Sequence, residues 1–253
     1  MQSYPIYFVT SNQAKLNLLA QVVVRSDITK FKWIPISLDI QEIQSMDNSV
    51  VSSDKVIQAY RHIRDNSSNQ TNWVMCEDTG YSFANMGNFP GALVKFYHDS
   101  IGVSGICKFH AGTRVTNTSC VAITNGKTIW LFSNQVTGTV PDQPRTTHET
   151  NNIIESDDLE KIFIPDYAHE HSRYQGLALS EVPVDIKLQY SARAKSFAQL
   201  ANWFDQIDPD ELTLADTNSD SADPDNCSNY AIAKTSKASG TSKAKSSKYL
   251  IKT

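Results

Sequence analysis

The sequence has no apolar run near the roughly 20 residues that a membrane-spanning helix requires. Its N-terminus also lacks the basic start and apolar stretch of a secretory signal peptide. The four cysteines are scattered and form no Cys-x-x-Cys pair. We therefore expect reduced thiols, no membrane association and a cytoplasmic location. A net charge of −4 does not favour nucleic-acid binding over the whole surface.

The chain of 253 residues is 40% hydrophobic, which is enough for one sizeable core. Its composition changes near residue 208. Residues 208–225 carry seven carboxylates and no Lys or Arg, and residues 226–253 carry six lysines and no carboxylate. We expect a folded domain over residues 1–205 and a disordered tail over residues 206–253. The tail lysines are able to contact RNA or an anionic surface, although a solvated tail is the commoner outcome.

An anion site is indicated near the N-terminus. The β-prone run from Ile6 to Thr10 predicts a first strand, and apolar residues at helical spacing follow it. Ser11 or Asn12 is suited to cap this helix. The free backbone N–H groups at such a helix start attract anions, and Lys15 adds a cation for a phosphate. The alternative is an ordinary strand-helix unit with a surface lysine.

The most informative stretch runs from Trp73 to Gly91. Its first four residues predict a short buried strand that ends in the adjacent carboxylates Glu77 and Asp78. At the end of a strand they would face the crevice of an α/β sheet, where Mg²⁺ is commonly held by carboxylates, waters and phosphates. From these residues alone, a solvated acidic turn is the more frequent outcome.

Further elements complete a predicted α/β pattern. Helices are predicted over residues 49–64, with Lys55 in an early turn, over residues 92–99, with Lys95, and over residues 194–204. Residues 119–123 and 128–132 flank Asn125-Gly126, which predicts a β-hairpin. Residues 135–140 predict a further strand, residues 31–40 contain a second apolar stretch, and the polar residues 144–158 predict a loop.

The order of motifs resembles the inosine triphosphate pyrophosphatase (Ham1-like) family. The matching segments are Thr10-Ser11-Asn12-Gln13-Ala14-Lys15, Glu42-Ile43-Gln44, Lys55, Glu77-Asp78-Thr79-Gly80, Phe89-Pro90-Gly91 with Lys95, and Lys187 with Ser191 and Arg193. The resemblance covers residues 4 to about 205. It implies an elongated mixed β-sheet with flanking helices and two lobes around a central nucleotide cleft. It also implies Mg²⁺-dependent hydrolysis of ITP, dITP and XTP to the monophosphate and pyrophosphate, with Mn²⁺ as a substitute metal, by a homodimer.

Site residues follow from the same resemblance. Asp78, as the base for the attacking water, and Lys15 are the expected catalytic residues. Glu42 and Asp78, with Glu77 beside them, are the expected metal ligands. The expected nucleotide-binding residues are Thr10, Ser11, Asn12, Lys15, Lys55, Thr79, Lys95, Glu160, Lys187 and Arg193.

The chain departs from the family pattern in three places. Ser11 replaces the glycine of the opening motif, Ala192 replaces the histidine of a Ser-His-Arg motif, and no Phe-Gly-Trp/Tyr-Asp loop is visible, Leu159-Glu160 standing where its end would align. We therefore expect the phosphate half of the site to be kept and the base half to be relaxed in selectivity. The alternatives are a nucleotide-binding relic without turnover and an interaction protein that works through the tail.

Overall fold

The computed structural model describes residues 4–26, 31–66, 73–146, 157–207 and 231–234. Within these ranges no helix combines the length and the apolar character needed to cross a membrane. Most of the predicted loop at residues 144–158 and most of the predicted tail lie outside the described residues.

The described ranges form eight strands and five α-helices. The strands are β1 (Tyr4–Val9), β2 (Phe31–Ile36), β3 (Trp73–Phe83), β4 (Pro90–Gly91), β5 (Arg114–Thr124), β6 (Thr128–Thr139), β7 (Ile164–Pro165) and β8 (Ala231–Lys234). The helices are α1 (Gln13–Arg25), α2 (Asn48–Asn66), α3 (Val94–His110), α4 (Val184–Tyr190) and α5 (Ala192–Gln206). Short 3₁₀ segments at Asp158–Ile162, His169–Tyr174 and Leu179–Glu181 lie on either side of β7 in the chain.

All eight strands belong to one mixed sheet in the order β2-β1-β3-β5-β6-β7, with β4 on β3 and β8 on β6. β1 runs parallel to β2 and β3, whereas β5 is antiparallel to both β3 and β6. Helices α1 and α5 pack on one face of the sheet, and α2 packs on the other. The predicted α/β class, with a mixed sheet and flanking helices, is confirmed.

Strand β3 runs through the apolar core and positions the site. Its odd residues Trp73 and Met75 pack toward α1 and α5, and Val74 and Cys76 pack toward α2. At its far end Tyr81 joins a third apolar cluster, which includes residues of α3 and of the 3₁₀ turns. The polar residues 77–79 therefore lie where the apolar clusters meet.

The prediction that this strand ends before Glu77 is wrong. The ladder between β3 and β5 continues without interruption from Val74↔Thr124 to Phe83↔Val115, so both carboxylates lie in the middle of a strand. Successive side chains of a strand point to opposite faces of the sheet. The sequence had suggested that Glu77 and Asp78 face the same crevice. Their side chains instead point to opposite faces of the sheet.

Two other elements differ in length from their predictions. β6 is one strand over Thr128–Thr139 where two were expected, and α3 continues to His110 through a break at Gly102 (φ 65°). β2, Phe31–Ile36, lies within the apolar stretch of residues 31–40. The hairpin is confirmed: Gly126 has φ 89°, and the Asn125 Oδ1 accepts a hydrogen bond from the Lys127 N–H.

The tail contains a strand, which the prediction of disorder did not include. Ala231–Lys234 pair in parallel with Thr128–Leu131 of β6. Because a strand at a sheet edge leaves backbone N–H and C=O groups unpaired, the edge of β6 offers backbone partners to this short segment. The remaining residues of the predicted tail lie outside the described ranges.

Candidate active site

The start of α1 is the predicted anion site. Asn12 is its N-cap, because the Asn12 Oδ1 accepts hydrogen bonds from the backbone N–H groups of Ala14 (2.9 Å) and Lys15 (3.3 Å). The Thr10 Oγ1 accepts a hydrogen bond from the Asn12 N–H at 3.1 Å. Ser11 and Asn12 are exposed, so the positive end of the helix dipole faces solvent. Thr10, Ser11, Asn12 and Lys15 thus lie together, as predicted.

Ser11 does not need the backbone freedom of the glycine it replaces. Asn88 (φ 70°) is the one non-glycine residue with a positive φ in the part of the chain that the structure describes. Ser11 therefore has an ordinary backbone conformation, and a side chain there causes no left-handed strain.

Glu77 lies on the α1 and α5 face of the sheet, with a side chain that is completely buried. Its Oε1 accepts hydrogen bonds from the Ser119 hydroxyl at 2.6 Å and from the Thr79 hydroxyl. Its Oε2 lies 2.8 Å from the Lys15 Nζ and 3.3 Å from the Arg193 Nε. Lys15 also donates to the Glu77 backbone carbonyl at 2.9 Å. One carboxylate thus joins the first turns of α1 and α5.

Electrostatics keep Glu77 ionised. Burial by itself would raise its pKa, but the charges of Lys15 and Arg193, together with the Ser119 hydrogen bond, outweigh burial and lower the pKa to about 2.

Asp78 points to the opposite face, toward α2. Its Oδ2 accepts a hydrogen bond of 2.6 Å from the Nδ2 of Asn48, the first residue of α2. Burial is the largest influence on the pKa of Asp78 and raises it, Lys15 opposes that effect, and Glu77 adds to it. The resulting pKa is about 7, far above the usual value for an aspartate.

Lys55 and Glu42 form an ion pair on the same side of the sheet as Asp78. Burial disfavours the charge of Lys55, but the Glu42 carboxylate, and to a smaller extent that of Asp78, raise its pKa above the usual value. The charged Lys55 side chain therefore interacts with two of the predicted metal ligands, directly with Glu42 and at longer range with Asp78.

The carboxylates near Lys55 fit a magnesium ion that is bound together with a substrate. No group of three or more His, Cys, Asp or Glu side chains suited to hold a metal ion occurs across the described ranges. Mg²⁺ often needs only one or two carboxylates, because waters and substrate phosphates supply its other ligands. Glu42 and Asp78 are hard oxygen donors on one side of the sheet, whereas Glu77 faces the other side.

A polar cleft begins at Thr79, the residue of β3 that follows the two carboxylates. It is narrow, with a cavity volume of about 10 Å³, is partly open to solvent, and is lined by Thr79, Tyr81, Asn117, Asp157, Glu160, Leu179, Ser191 and Arg193. The predicted residues Thr79, Glu160 and Arg193 therefore meet there. Lys187 is buried behind the lining and forms an ion pair of 2.8 Å with Glu160. Tyr81 and Asn117 continue the face of the sheet on which Glu77 lies.

Lys95 and Ala192 are placed differently. Lys95 is 79% exposed on α3, where it forms an ion pair with Asp99, and its described contacts do not join it to Lys15 or Lys55. Ala192 is fully buried in the apolar cluster of Tyr81 and does not line the cleft, although its neighbours Ser191 and Arg193 do.

Sequence reasoning missed Asn48, Asn117, Ser119 and Asp157. Ser119 and Asn117 lie on β5 with the same alternation as Thr79 and Tyr81 on β3, to which they are paired. Once the hairpin after β5 is placed, counting by two along a strand would have identified both. Asp157 contacts Arg193 at 3.4 Å, and Asn48 contacts Asp78, across 36 and 30 positions respectively, with no local pattern to mark either contact.

Comparison with known proteins gives concordant results. A profile of the Ham1 family matches residues 6–203. The inosine triphosphate pyrophosphatase of Kluyveromyces lactis is 26% identical over 203 residues, which is 78% of this chain and 94% of the relative. The dITP/XTP pyrophosphatase of Pyrobaculum aerophilum is 25% identical over 174 residues, covering 67% and 84% of the two chains.

Solved structures agree on the fold. The Staphylococcus aureus Ham1 protein superposes with a TM-score of 0.51 at 14% identity, covering 79% of this chain and 97% of its own. The dITP/XTP pyrophosphatase of Mycobacterium abscessus gives the same TM-score at 16% identity, with 78% and 97% coverage. With a family profile matched over residues 6–203, the chain belongs to the Ham1 family.

Proposed function

We propose that the protein hydrolyses non-canonical purine nucleoside triphosphates (ITP, dITP and XTP) to the monophosphate and pyrophosphate, with Mg²⁺ as the metal and Mn²⁺ as a substitute. One observation carries the proposal. Along β3, a cluster of buried charges around Glu77 and Asp78 passes directly into a polar cleft that begins at Thr79. The relatives in the family are named for this activity.

The triphosphate binds at the start of α1 and near Lys15 and Lys55. The exposed helix start offers the positive end of a dipole, and the lysines add charge, while the N–H groups of Ala14 and Lys15 already donate to the Asn12 side chain. Lys95 lies on α3 away from these groups and has the weakest support as a phosphate ligand.

Glu42 and Asp78 hold the magnesium ion. When bound, Mg²⁺ neutralises phosphate charge and orients the reacting groups, which phosphoryl-type transfer requires more than covalent help. Asp78 accepts the proton of the attacking water. The Asn48 hydrogen bond holds one of its oxygens in place; without metal, burial raises the pKa of Asp78 against the opposing effect of that hydrogen bond. Lys15 stabilises the charge that develops on the phosphates.

The purine base enters the cleft. A 6-keto purine presents the acceptor O6, whereas adenine presents the N6 donor at that position. The cleft lining offers the Arg193 guanidinium as a donor and the carboxylates of Asp157 and Glu160 as acceptors. Because Ala192 provides no side-chain donor, we propose a weaker preference for ITP over ATP than in relatives with the full motif.

The assembly and location are also proposals. We propose a homodimer by similarity to the family, which the mass from light scattering tests directly. We propose the cytoplasm because Cys76, Cys107 and Cys120 are buried free thiols.

The deciding assay is pyrophosphate release from ITP, XTP and dITP with Mg²⁺, set against the same reactions with a chelator. Release that depends on Mg²⁺ is the expected result. Nucleotide binding without any release would instead identify a relic, a reading that the missing histidine at position 192 favours. Deletion of residues 208–253, followed by RNA-binding measurements, tests the third possibility, that of an interaction protein.

A further inference from the structure

We infer that Glu77 is a positioning residue that orders Lys15 and Arg193 together, and that it is not a metal ligand. The inference rests on the proposed function, in which Lys15 contacts the phosphates and Arg193 contacts the base. Glu77 would thereby link the two halves of the nucleotide site.

The Glu77 carboxylate is already surrounded by four polar or charged groups. An ionised carboxylate has two oxygens with about four lone-pair sites in total. Four groups surround this one: the hydroxyls of Ser119 and Thr79 donate hydrogen bonds to Oε1, and the cations of Lys15 and Arg193 lie against Oε2 as ion pairs at 2.8 and 3.3 Å, without a hydrogen bond of regular geometry. Because the side chain has no exposed surface, a metal ion would have to displace one of these groups.

The direction of the side chain gives a second, independent reason. The pairing of β3 with β5 continues through the residues before and after Glu77, so side chains alternate regularly between the two faces there. Asp78 therefore points toward Asn48 and α2, and Glu77 points toward α1 and α5. Glu42 and Lys55 lie on the Asp78 side.

The two cations at Glu77 come from different helices. Lys15 lies in the first turn of α1, and Arg193 is the second residue of α5. Arg193 is also 3.4 Å from Asp157, and both residues line the cleft. Without the charge of Glu77, Lys15 and Arg193 would repel each other across a buried space, so both would leave their present positions.

The test compares Glu77→Gln with Glu42→Gln and with Asp166→Asn as a control for removal of a carboxylate. Asp166 lies outside the site, in an exposed ion pair with Arg114. Two probes report the two halves separately: inorganic tripolyphosphate has no base, and inosine has no phosphate. Binding of each probe is measured by calorimetry without metal, and binding of Mn²⁺ is measured by electron paramagnetic resonance.

We expect Glu77→Gln to weaken binding of both probes about tenfold, because it leaves the buried cations of Lys15 and Arg193 without their anionic partner, and to leave Mn²⁺ affinity as in the wild type. Glu42→Gln should weaken Mn²⁺ binding and leave inosine binding unchanged. Unaltered binding of both probes by Glu77→Gln would overturn the positioning role, and so would a wild-type protein that does not bind tripolyphosphate. A loss of Mn²⁺ affinity equal to that of Glu42→Gln would show that Glu77 is a metal ligand after all.

A second variant covers the case in which Glu77→Gln does not fold. Ser119→Ala removes one hydroxyl from Oε1 and leaves every charge in place, so weaker binding of both probes by about threefold is expected. Unchanged binding in this variant would count against the inference. The proposed function can fail separately: a wild-type protein that binds both probes but releases no pyrophosphate from ITP would refute turnover and leave the role of Glu77 standing.

Discussion

Asp78→Asn should make the protein almost inactive and, at the same time, more stable without metal. Asp78 is nearly buried, and the charged form is disfavoured there, so its pKa is about 7 in the folded protein. The difference from its usual value of 3.8 corresponds to a destabilisation of up to about 4 kcal/mol. An asparagine has nearly the same shape, carries no charge and can still accept the hydrogen bond from Asn48.

The pH dependence has a definite sign. The folded wild-type protein retains the Asp78 proton up to pH values near 7, whereas the unfolded chain loses it near pH 4. The wild type therefore loses stability, relative to Asp78→Asn, as the pH rises from about 4 to about 7. The advantage of the variant should be absent at lower pH and complete at higher pH. Turnover should fall by about two to four orders of magnitude, because a general base is lost.

Urea unfolding with a chelator present, from pH 4 to pH 8.5, measures the stability, and pyrophosphate release from ITP measures the activity. Asp166→Asn is the matched control. Arg114 and Thr137 lower the pKa of Asp166, so this control should lose a little stability near neutral pH. Equal stability of Asp78→Asn and the wild type at pH 8 would refute the argument from burial, and retention of most of the wild-type rate would refute the site.

Three further predictions concern other parts of the chain. Asn48→Ala should lower kcat for ITP by about tenfold or more, because it removes a hydrogen bond to the charged Asp78. Ser53→Ala on the same helix is the control and should leave kcat unchanged. Equal kcat values for the two variants would show that Asn48 does not position Asp78. Ala192→His should lower stability by about 1–3 kcal/mol, because the position is fully buried in the apolar cluster around Tyr81 and does not line the cleft. A higher ratio of kcat/KM for ITP over ATP in this variant would show that the new imidazole reaches the base. Deletion of residues 208–253 should leave kcat/KM for ITP within about twofold of the wild-type value. It should also speed amide hydrogen exchange in the β6 segment that pairs with β8. A large loss of activity would show that the tail belongs to the site.

Much of the site was predictable from residue types in order along the chain. The opening segment from Thr10 to Lys15 forms the expected capped helix start. This was predictable because the hydrogen bonds that form the cap join residues only two or three positions apart. The cleft was predictable only in part: Thr79, Glu160 and Arg193 meet there as expected, but Asn117 and Asp157 carry no local signal. Lys95 shows the limit of a motif, since its helix holds it on the exposed surface beside Asp99.

The sequence by itself determined the local conformations and the family. The hairpin at Asn125-Gly126 and the capped start of α1 depend on residues a few positions apart, so their chemistry acts before any distant contact forms. Only the tertiary structure decided what Glu77 and Asp78 do. Pairing with β5, whose Ser119 lies 42 positions from Glu77, keeps the backbone extended through both carboxylates. An extended backbone sends adjacent side chains to opposite faces, so one carboxylate meets Lys15 and Arg193 and the other meets Asn48.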